Sequence, residues 1–547
     1  MVLDRIYRAM PYVLFAALVG SIVAGMLLPV YTDEVAWRFS MRAALDGVDK
    51  LYSDTCGPNT LATPPFFMMP ARYFSAWVNM ALPSPFYVRL EGVLCGLTAS
   101  GMLWTLTQKI APAGATRNAV RMLVFALLCF GMMPLLLVWS RPEQPLLLAL
   151  LSALLVALPG WQETAPPPAR TVWRRAALIT VAAVLALSWH MKGVVLLPAF
   201  AFCLFTCARG HDTVRLRIAA SALLIVLALV AARYWVLRVS CPNDPVIAAV
   251  YGRTSVLAML SNGQHPVDVL GALLFSAHPD HYFFKAAPQD LAMSAWVVKH
   301  ALVPGTQGLW NLSALAFWWF GYVVGGISLV RALYLCVKER RFDPAPMLAL
   351  LLAGLVAVWS ATLLIKNIYD AALILPVMTI AIALSIASAR LPEAVLRPLA
   401  ILLVAHGVAA LYALALMWQI YLPSLNDAAS RTGYLERQPF SQSVYGYADL
   451  RPRIEQAAAQ CGIGKHGRRD RGLLIDDVTY FAFMGSYLPQ HAIGVLGEFH
   501  GNIDDPLAYL RSKQSDGVIA ACRVLPPAMR AKARQSGEFC CIDLSQR

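Results

Sequence analysis

Charge is scarce in this chain. Of its 547 residues only 14% are Asp, Glu, Lys or Arg, where a soluble domain carries roughly 25%. Acid is the scarcer sign, with 31 residues against 45 basic ones. That shortage excludes an ordinary water-soluble protein of this length, which would divide into several domains with charged surfaces. No basic groove interleaved with aromatics occurs, so the net charge of +14 is not a nucleic-acid footprint. No CxxC with metal-ligand spacing occurs among the eleven cysteines, which removes the common zinc frameworks. Internal repeats are absent, and low complexity is confined to Pro166-Pro167-Pro168.

What the chain has in place of charge is apolar sequence: 59% hydrophobic residues and a mean hydropathy of +0.59. The apolar residues come in blocks of about twenty, the length a helix needs to cross about 30 Å of hydrocarbon. Clear blocks are Tyr12–Val30, Ala119–Trp139, Ala176–Trp189, Ile218–Val236, Trp310–Val337, Met347–Ile365 and Leu399–Tyr421; weaker ones are Val88–Leu106, Leu146–Leu158, Val194–Thr206 and Ala371–Ala387. The fold class is therefore an α-helical polytopic membrane protein with about eleven transmembrane helices. Arg5 and Arg8 precede the first block as in a signal peptide, but no small-x-small cleavage site ends it before Tyr31. It reads as a retained first helix.

Basic residues orient the molecule. Alternate short loops hold Arg5 and Arg8; Lys109, Arg117 and Arg121; Arg170, Arg174 and Arg175; Arg209, Arg215 and Arg217; Lys338, Arg340 and Arg341; Arg390 and Arg397. The intervening short loops hold only Arg141, Lys192 and Lys366. By the positive-inside rule the N-terminus is cytoplasmic, and an odd number of spans leaves the C-terminal segment outside. Three external pieces result: loops at 31–87 and 237–308, and a C-terminal domain at 423–547 following a membrane domain at 1–422. In the last, short apolar strands (Gly472–Ile475, Gly517–Ala521, Phe539–Leu544) alternate with helix-like stretches (Ala448–Ala459, Pro506–Lys513, Pro526–Gln535), which predicts a small extracytoplasmic α/β domain. Cys56, Cys241, Cys461, Cys522, Cys540 and Cys541 fall outside the membrane, where an oxidising exterior allows disulfides whose pairing stays open. The vicinal Cys540 and Cys541 are not expected to bond to each other.

Ionisable residues gather at the outer membrane edge: Asp33 and Glu34 after the first span, Arg141-Pro142-Glu143, His190-Met191-Lys192, and Lys366 with Tyr369 and Asp370. Such residues at converging helix ends are candidate functional groups. Bases and cations together suit an anionic donor attacked by a hydroxyl. Sugar transfer from a lipid phosphate needs a carboxylate to take the hydroxyl proton and cations for the charge growing on the phosphate.

The arrangement resembles the membrane-embedded GT-C superfamily, in particular the group of protein O-mannosyltransferases and lipid A aminoarabinose transferases. The matching stretches are Tyr31-Thr32-Asp33-Glu34-Val35-Ala36-Trp37, Thr63-Pro64-Pro65, Pro85-Phe86-Tyr87-Val88-Arg89-Leu90, Ser140-Arg141-Pro142-Glu143, Lys192-Gly193 with Pro198, and Lys366-Asn367-Ile368-Tyr369 with Leu375-Pro376. They cover residues 1–420, and the C-terminal domain matches no family pattern. Trp37 and His190 depart from the pattern, which leaves the donor's identity open.

The resemblance implies an inverting glycosyltransferase using a polyprenyl-phosphate-linked sugar donor and a lipid, glycan or protein acceptor on the outer side of the membrane. The short loops and Ala/Leu-rich composition suit a bacterial inner membrane, which makes that side periplasmic. Membrane lipids are partners, nucleic acid is not, and no cofactor is required, although a divalent cation is compatible. By the same resemblance Asp33 is the general base, the plain alternative being a helix cap. Glu34 can exchange roles with it, but successive helical residues point about 100° apart, so one of them reaches the acceptor. Glu143 tunes the base or holds the acceptor, the alternative being an ion pair with Arg141. Lys192 is the first phosphate ligand, against snorkelling to the interface, with His190 and Arg141 beside it. Lys366 and Tyr369 are second candidates, against snorkelling and an aromatic belt. Arg38 lies four residues beyond Glu34, which reads first as a helical ion pair and second as a donor contact.

Two motifs read as structural. His278-Pro279-Asp280-His281 has a proline breaking any helical ligand spacing and no third ligand. Asp476-Asp477 follows an apolar strand as a loop would. A ligase or polymerase of lipid-linked oligosaccharide would want paired arginines in a large external loop, and 237–308 holds only Arg238 and Arg253. A transporter would carry polar or broken helices at the midplane, where these spans are nearly uncharged. A scaffold that kept the fold without catalysis is the remaining alternative.

Overall fold

The computed structural model describes residues 2–27, 30–31, 34–35, 81–82, 84–131, 133–163, 165, 167–189, 191–207, 307–362, 371–421, 440–442, 447–464, 470–496 and 505–545. The chain forms two compact units.

The first unit is helical: α1 (Val2–Ala24), α2 (Leu90–Ile110), α3 (Ala115–Cys129), α4 (Glu143–Gln162), α5 (Ala169–Trp189), α6 (Leu197–Thr206), α7 (Gln307–Lys338), α8 (Pro344–Thr362), α9 (Ala371–Ser388) and α10 (Glu393–Tyr421). Among the described residues six helical stretches are long and apolar enough to cross a membrane: Asp4–Leu27, Glu143–Gln162, Ala169–Trp189, Ala316–Lys338, Ala371–Ser388 and Glu393–Gln419. The protein is thus a multi-pass membrane protein. The block at Ile218–Val236 lies outside the described residues.

Composition decides which helix is central. α9 is apolar on every side and buried almost throughout, packing on α7, α8, α3 and α4, as expected of a helix without a polar face. Helices at the periphery expose large apolar side chains instead, such as Val323, Ile327 and Val330 on α7 and Ile401, Leu402 and Val408 on α10. Those faces suit lipid.

One apolar block is not one helix. The run at Ala119–Trp139 stops as α3 at Cys129, because Gly131 takes a left-handed φ of 56° and Pro134 follows in a separate short helix, Met133–Leu136. The remainder, Leu137–Trp139, is pressed against α2. A Cβ at Gly92 would lie 1.8 Å from the Val138 carbonyl oxygen, and one at Gly96 would lie 2.8 Å from that of Leu137. Only bare backbone allows this approach, and it fixes the strand of chain leading into Arg141.

The second unit contains described residues from Met26–Glu91 and from Tyr421–Arg547. Its sheet contains β3 (Gly472–Ile475), β4 (Leu488–His491), β5 (Ser515–Ala521), β6 (Arg534–Ser536) and β7 (Phe539–Asp543) in the order β4-β3-β5-β7-β6. The first three strands are parallel; β7 runs antiparallel to β5, and β6 to β7. Helix α11 (Tyr447–Ala459) contributes to the core on one face, and α12 (Pro506–Ser512) to the core on the other. The predicted α/β character holds for the described residues. Pro526–Gln535 is a correction: helix is confined to Pro527–Arg530, and the chain then turns into strand β6, since the Gln535 backbone pairs with Cys540 across the sheet. A separate ribbon pairs β1 (Val30–Tyr31) with β2 (Phe440–Gln442), antiparallel.

Period-two alternation divides the vicinal cysteines. Ile519, Ala521, Phe539 and Cys541 face one core, and Val518, Ala520, Cys540 and Ile542 face the other. Cys541 therefore bonds Cys461, just beyond α11, while Cys540 bonds Cys522 at the end of β5. Cys540 and Cys541 do not bond each other. Cys56 and Cys241 lie outside the described residues.

Candidate active site

Three of the predicted site residues meet in the first unit. Glu143 opens α4, where the positive end of the helix dipole favours a carboxylate. Its carboxylate is sealed from solvent at 0% exposure, 2.5 Å from Lys192 Nζ through Oε1 and 3.6 Å from Arg141 Nε through Oε2. Arg141 and Lys192 keep 12% and 17% of their side chains exposed. One acid is thus buried beneath two bases. The plain alternative for Glu143, a pair with Arg141, is present as the longer contact; Lys192 is the closer partner. Lys192 is therefore held by a carboxylate and is not simply extended to the interface.

Local sequence explains the convergence. The Arg141-Pro142-Glu143 turn connects the pressed segment 137–139 to α4, and Gln144 Nε2 ties it back to the Leu136 carbonyl at 2.6 Å. Lys192 lies in a 3-10 turn at Met191–Leu196, between α5 and α6. Gly193 makes that turn fit, because a Cβ there would lie 2.7 Å from the Ala186 carbonyl oxygen. The Gly92-xxx-Gly96 spacing and the Lys192-Gly193 dipeptide carried this information, but neither names its packing partner.

The opposite end of the same helices has another character. Gln162 Nε2 donates to the Lys109 carbonyl, and Arg175 forms a bidentate pair with Glu163 at 2.6 and 2.9 Å. α4 is 20 residues long, which places these ends about 30 Å apart. The loops rich in arginine thus fall at the end away from Glu143.

The second unit holds Glu34. Arg89 Nε lies 3.1 Å from each carboxylate oxygen of Glu34, and Nη2 lies 2.9 Å from Oε2. Both side chains are buried, at 0% and 2% exposure. Arg89 ends a 3-10 turn, Pro85–Arg89, whose first free N–H, that of Phe86, donates to Ser84 Oγ. A fork engaging both oxygens is a strong, geometrically specific pair, and it occupies Glu34. The sequence shows Arg89 only as part of the Pro85–Leu90 stretch, and no local spacing links it to Glu34, 55 positions away.

Asp33, Arg38, His190, Lys366 and Tyr369 lie outside the described residues, as do His278, Asp280 and His281. Among the described residues no group of three or more His, Cys, Asp or Glu side chains is placed to hold a metal ion. Asp476 is structural. Its Oδ1 accepts from Thr479 N at 2.8 Å and Thr479 Oγ1 at 2.7 Å, and its Oδ2 accepts from Ala521 N at 3.0 Å. These bonds bind the ends of β3 and β5 together. Burial pushes the Asp476 carboxyl above the usual carboxylate range, against the opposing pull of those hydrogen bonds.

No protein-family model matches the chain, and no curated protein matches it. Among solved structures, the oligosaccharyltransferase of Archaeoglobus fulgidus in its apo form is similar with a TM-score of 0.45 and 12% identity, over 94% of this chain and 70% of that one. ArnT from Cupriavidus metallidurans, bound to undecaprenyl phosphate, is similar with a TM-score of 0.45 and 13% identity, over 97% of each chain.

Proposed function

We propose that this protein moves a sugar from a polyprenyl-phosphate donor to an acceptor on the extracytoplasmic side of a bacterial inner membrane, inverting the anomeric centre. The observation that carries the reading is the pair of cations, Lys192 and Arg141, held over the sealed carboxylate of Glu143. A buried acid that fixes two bases at the ends of membrane helices makes a preorganised anion site, and preorganised charge is the largest common source of catalysis where negative charge develops.

In the proposed reaction Asp33 takes the proton of the acceptor hydroxyl as its oxygen bonds to the sugar's anomeric carbon. The bond from that carbon to the donor phosphate breaks, and the polyprenyl phosphate leaves with both electrons. Lys192 and Arg141 hold the phosphate charge, joined in this proposal by His190, Lys366, Tyr369 and Arg38. The buried pairing of Glu34 with Arg89 supports assigning the role of base to Asp33. Glu143 holds the cations in place. The scheme requires no cofactor. The arginine-rich opposite helix ends support a cytoplasmic N-terminus, and the two disulfides among the described residues of the second unit support an oxidising compartment for it.

The test is transfer of radiolabelled mannose or aminoarabinose from polyprenyl-phosphate donors by membranes carrying wild type or Asp33→Asn. Transfer by wild type that the variant loses at equal protein level is the expected result. Equal transfer by both removes Asp33 as the base, and no transfer by wild type from either donor overturns these two donor assignments.

A further inference from the structure

The sheet of the second unit has a core on each face, and among the described residues one of them reaches the carboxylate segment. The core that holds Cys461 and Cys541 also holds Val30, Val35 and Val88, at 1%, 0% and 2% exposure, together with Tyr447, Ile454, Ile519 and Phe539. Val35 directly follows Glu34, and Val88 directly precedes Arg89. Both ends of the buried ion pair are therefore anchored, one residue away, in the hydrophobic core of the C-terminal domain. Just before Glu34 the backbone is held again, as β1 pairs with β2, Val30 opposite Gln442 and Tyr31 opposite Phe440. β2 leads by a short connection to α11, and α11 leads to the disulfide at Cys461. The opposite core, which contains Cys522 and Cys540, includes none of the described residues of the first external segment.

We infer that the C-terminal domain is the mount of the carboxylate segment, and that the Cys461–Cys541 disulfide positions it while Cys522–Cys540 does not. The bond at Cys461 closes a separation of 80 residues, against 18 for the other, so it constrains much more chain. It clips α11 to β7 within the core that grips Val35 and Val88. Neither cysteine touches the ion pair; both act through packing. The catalytic consequence rests on the transferase reading above, whereas the mechanical one does not.

The experiment compares full-length protein carrying Cys461→Ser with Cys541→Ser against protein carrying Cys522→Ser with Cys540→Ser. Hydrogen exchange is read at Val35 and across Tyr87–Arg89, and transfer is read as kcat and KM. The first pair is expected to speed exchange at those amides and to lower kcat by about 10- to 100-fold, the scale of a displaced catalytic group, with KM for the donor little changed. The second pair is expected to leave both at wild-type values. Equal effects of the two pairs, or no effect of the first, overturns the inference. Wild type without transfer overturns the functional reading, and the exchange comparison then decides the mount by itself.

Discussion

Removing one partner of the Glu34–Arg89 pair tests the architecture most directly. Three N–O distances of 2.9 to 3.1 Å join side chains that are at most 2% exposed. Arg89→Met strips the fork and leaves a carboxylate buried without its counter-ion, which in such settings costs about 3–5 kcal/mol. At about 1.4 kcal/mol per tenfold, amides that exchange through local opening of Pro85–Arg89 should speed up by roughly two to three and a half orders of magnitude. Glu34→Leu should do the same from the other side. The double variant should recover most of the loss, because an apolar pair of similar volume replaces a buried ion pair at little cost. The assay is native-state hydrogen exchange on the four proteins of the double-mutant cycle, which isolates the pairwise term. Single variants within tenfold of wild type, or a double variant showing the plain sum of the two losses, would refute the reasoning.

Lys192→Ala should lower kcat/KM by roughly 10- to 150-fold, the value of a hydrogen bond to a charged group, and Lys192→Arg should restore part of it; steady-state transfer assays over donor concentration check this. Gly92→Ala puts a methyl 1.8 Å from the Val138 carbonyl oxygen, so α2 or the segment leading to Arg141 must shift; lower thermal stability in detergent and weaker donor binding are the expected readings. Asp476 is protonated more readily in the folded domain than in the unfolded chain. Its burial penalty is therefore absent at pH below the ordinary carboxylate value of about 4 and grows as pH rises through the raised folded value. Asp476→Asn should remove this pH dependence yet lower thermal stability, because its NH2 would face the Thr479 or Ala521 N–H where a carboxylate oxygen accepts; melting curves of both proteins across pH measure it.

How much of this was legible in advance differs by element. Strand β3 was read at Gly472–Ile475, where it is found, because four apolar residues flanked by polar ones leave little alternative. Glu143, Arg141 and Lys192 were named from their place at helix ends, and they do meet. The Ala119–Trp139 block was misjudged as one span, since a single glycine in the left-handed region outweighs twenty apolar neighbours. Glu34 pairs with Arg89, 55 positions away, a partner that local spacing does not offer, and Arg38 lies outside the described residues.

The sequence by itself determined the membrane character and the helix-end placement of the charged residues. Hydrophobic periodicity and basic-loop asymmetry are local quantities, written in consecutive residues, and the solvent enforces them. Tertiary structure alone decided which charges pair, which cysteine of a vicinal couple bonds which partner, and that Val30, Val35 and Val88 share a core with strands more than 380 positions away. Those choices depend on close packing between segments remote in sequence. A side chain's nearest neighbour is then set by the shape of the fold, and no spacing along the chain records it.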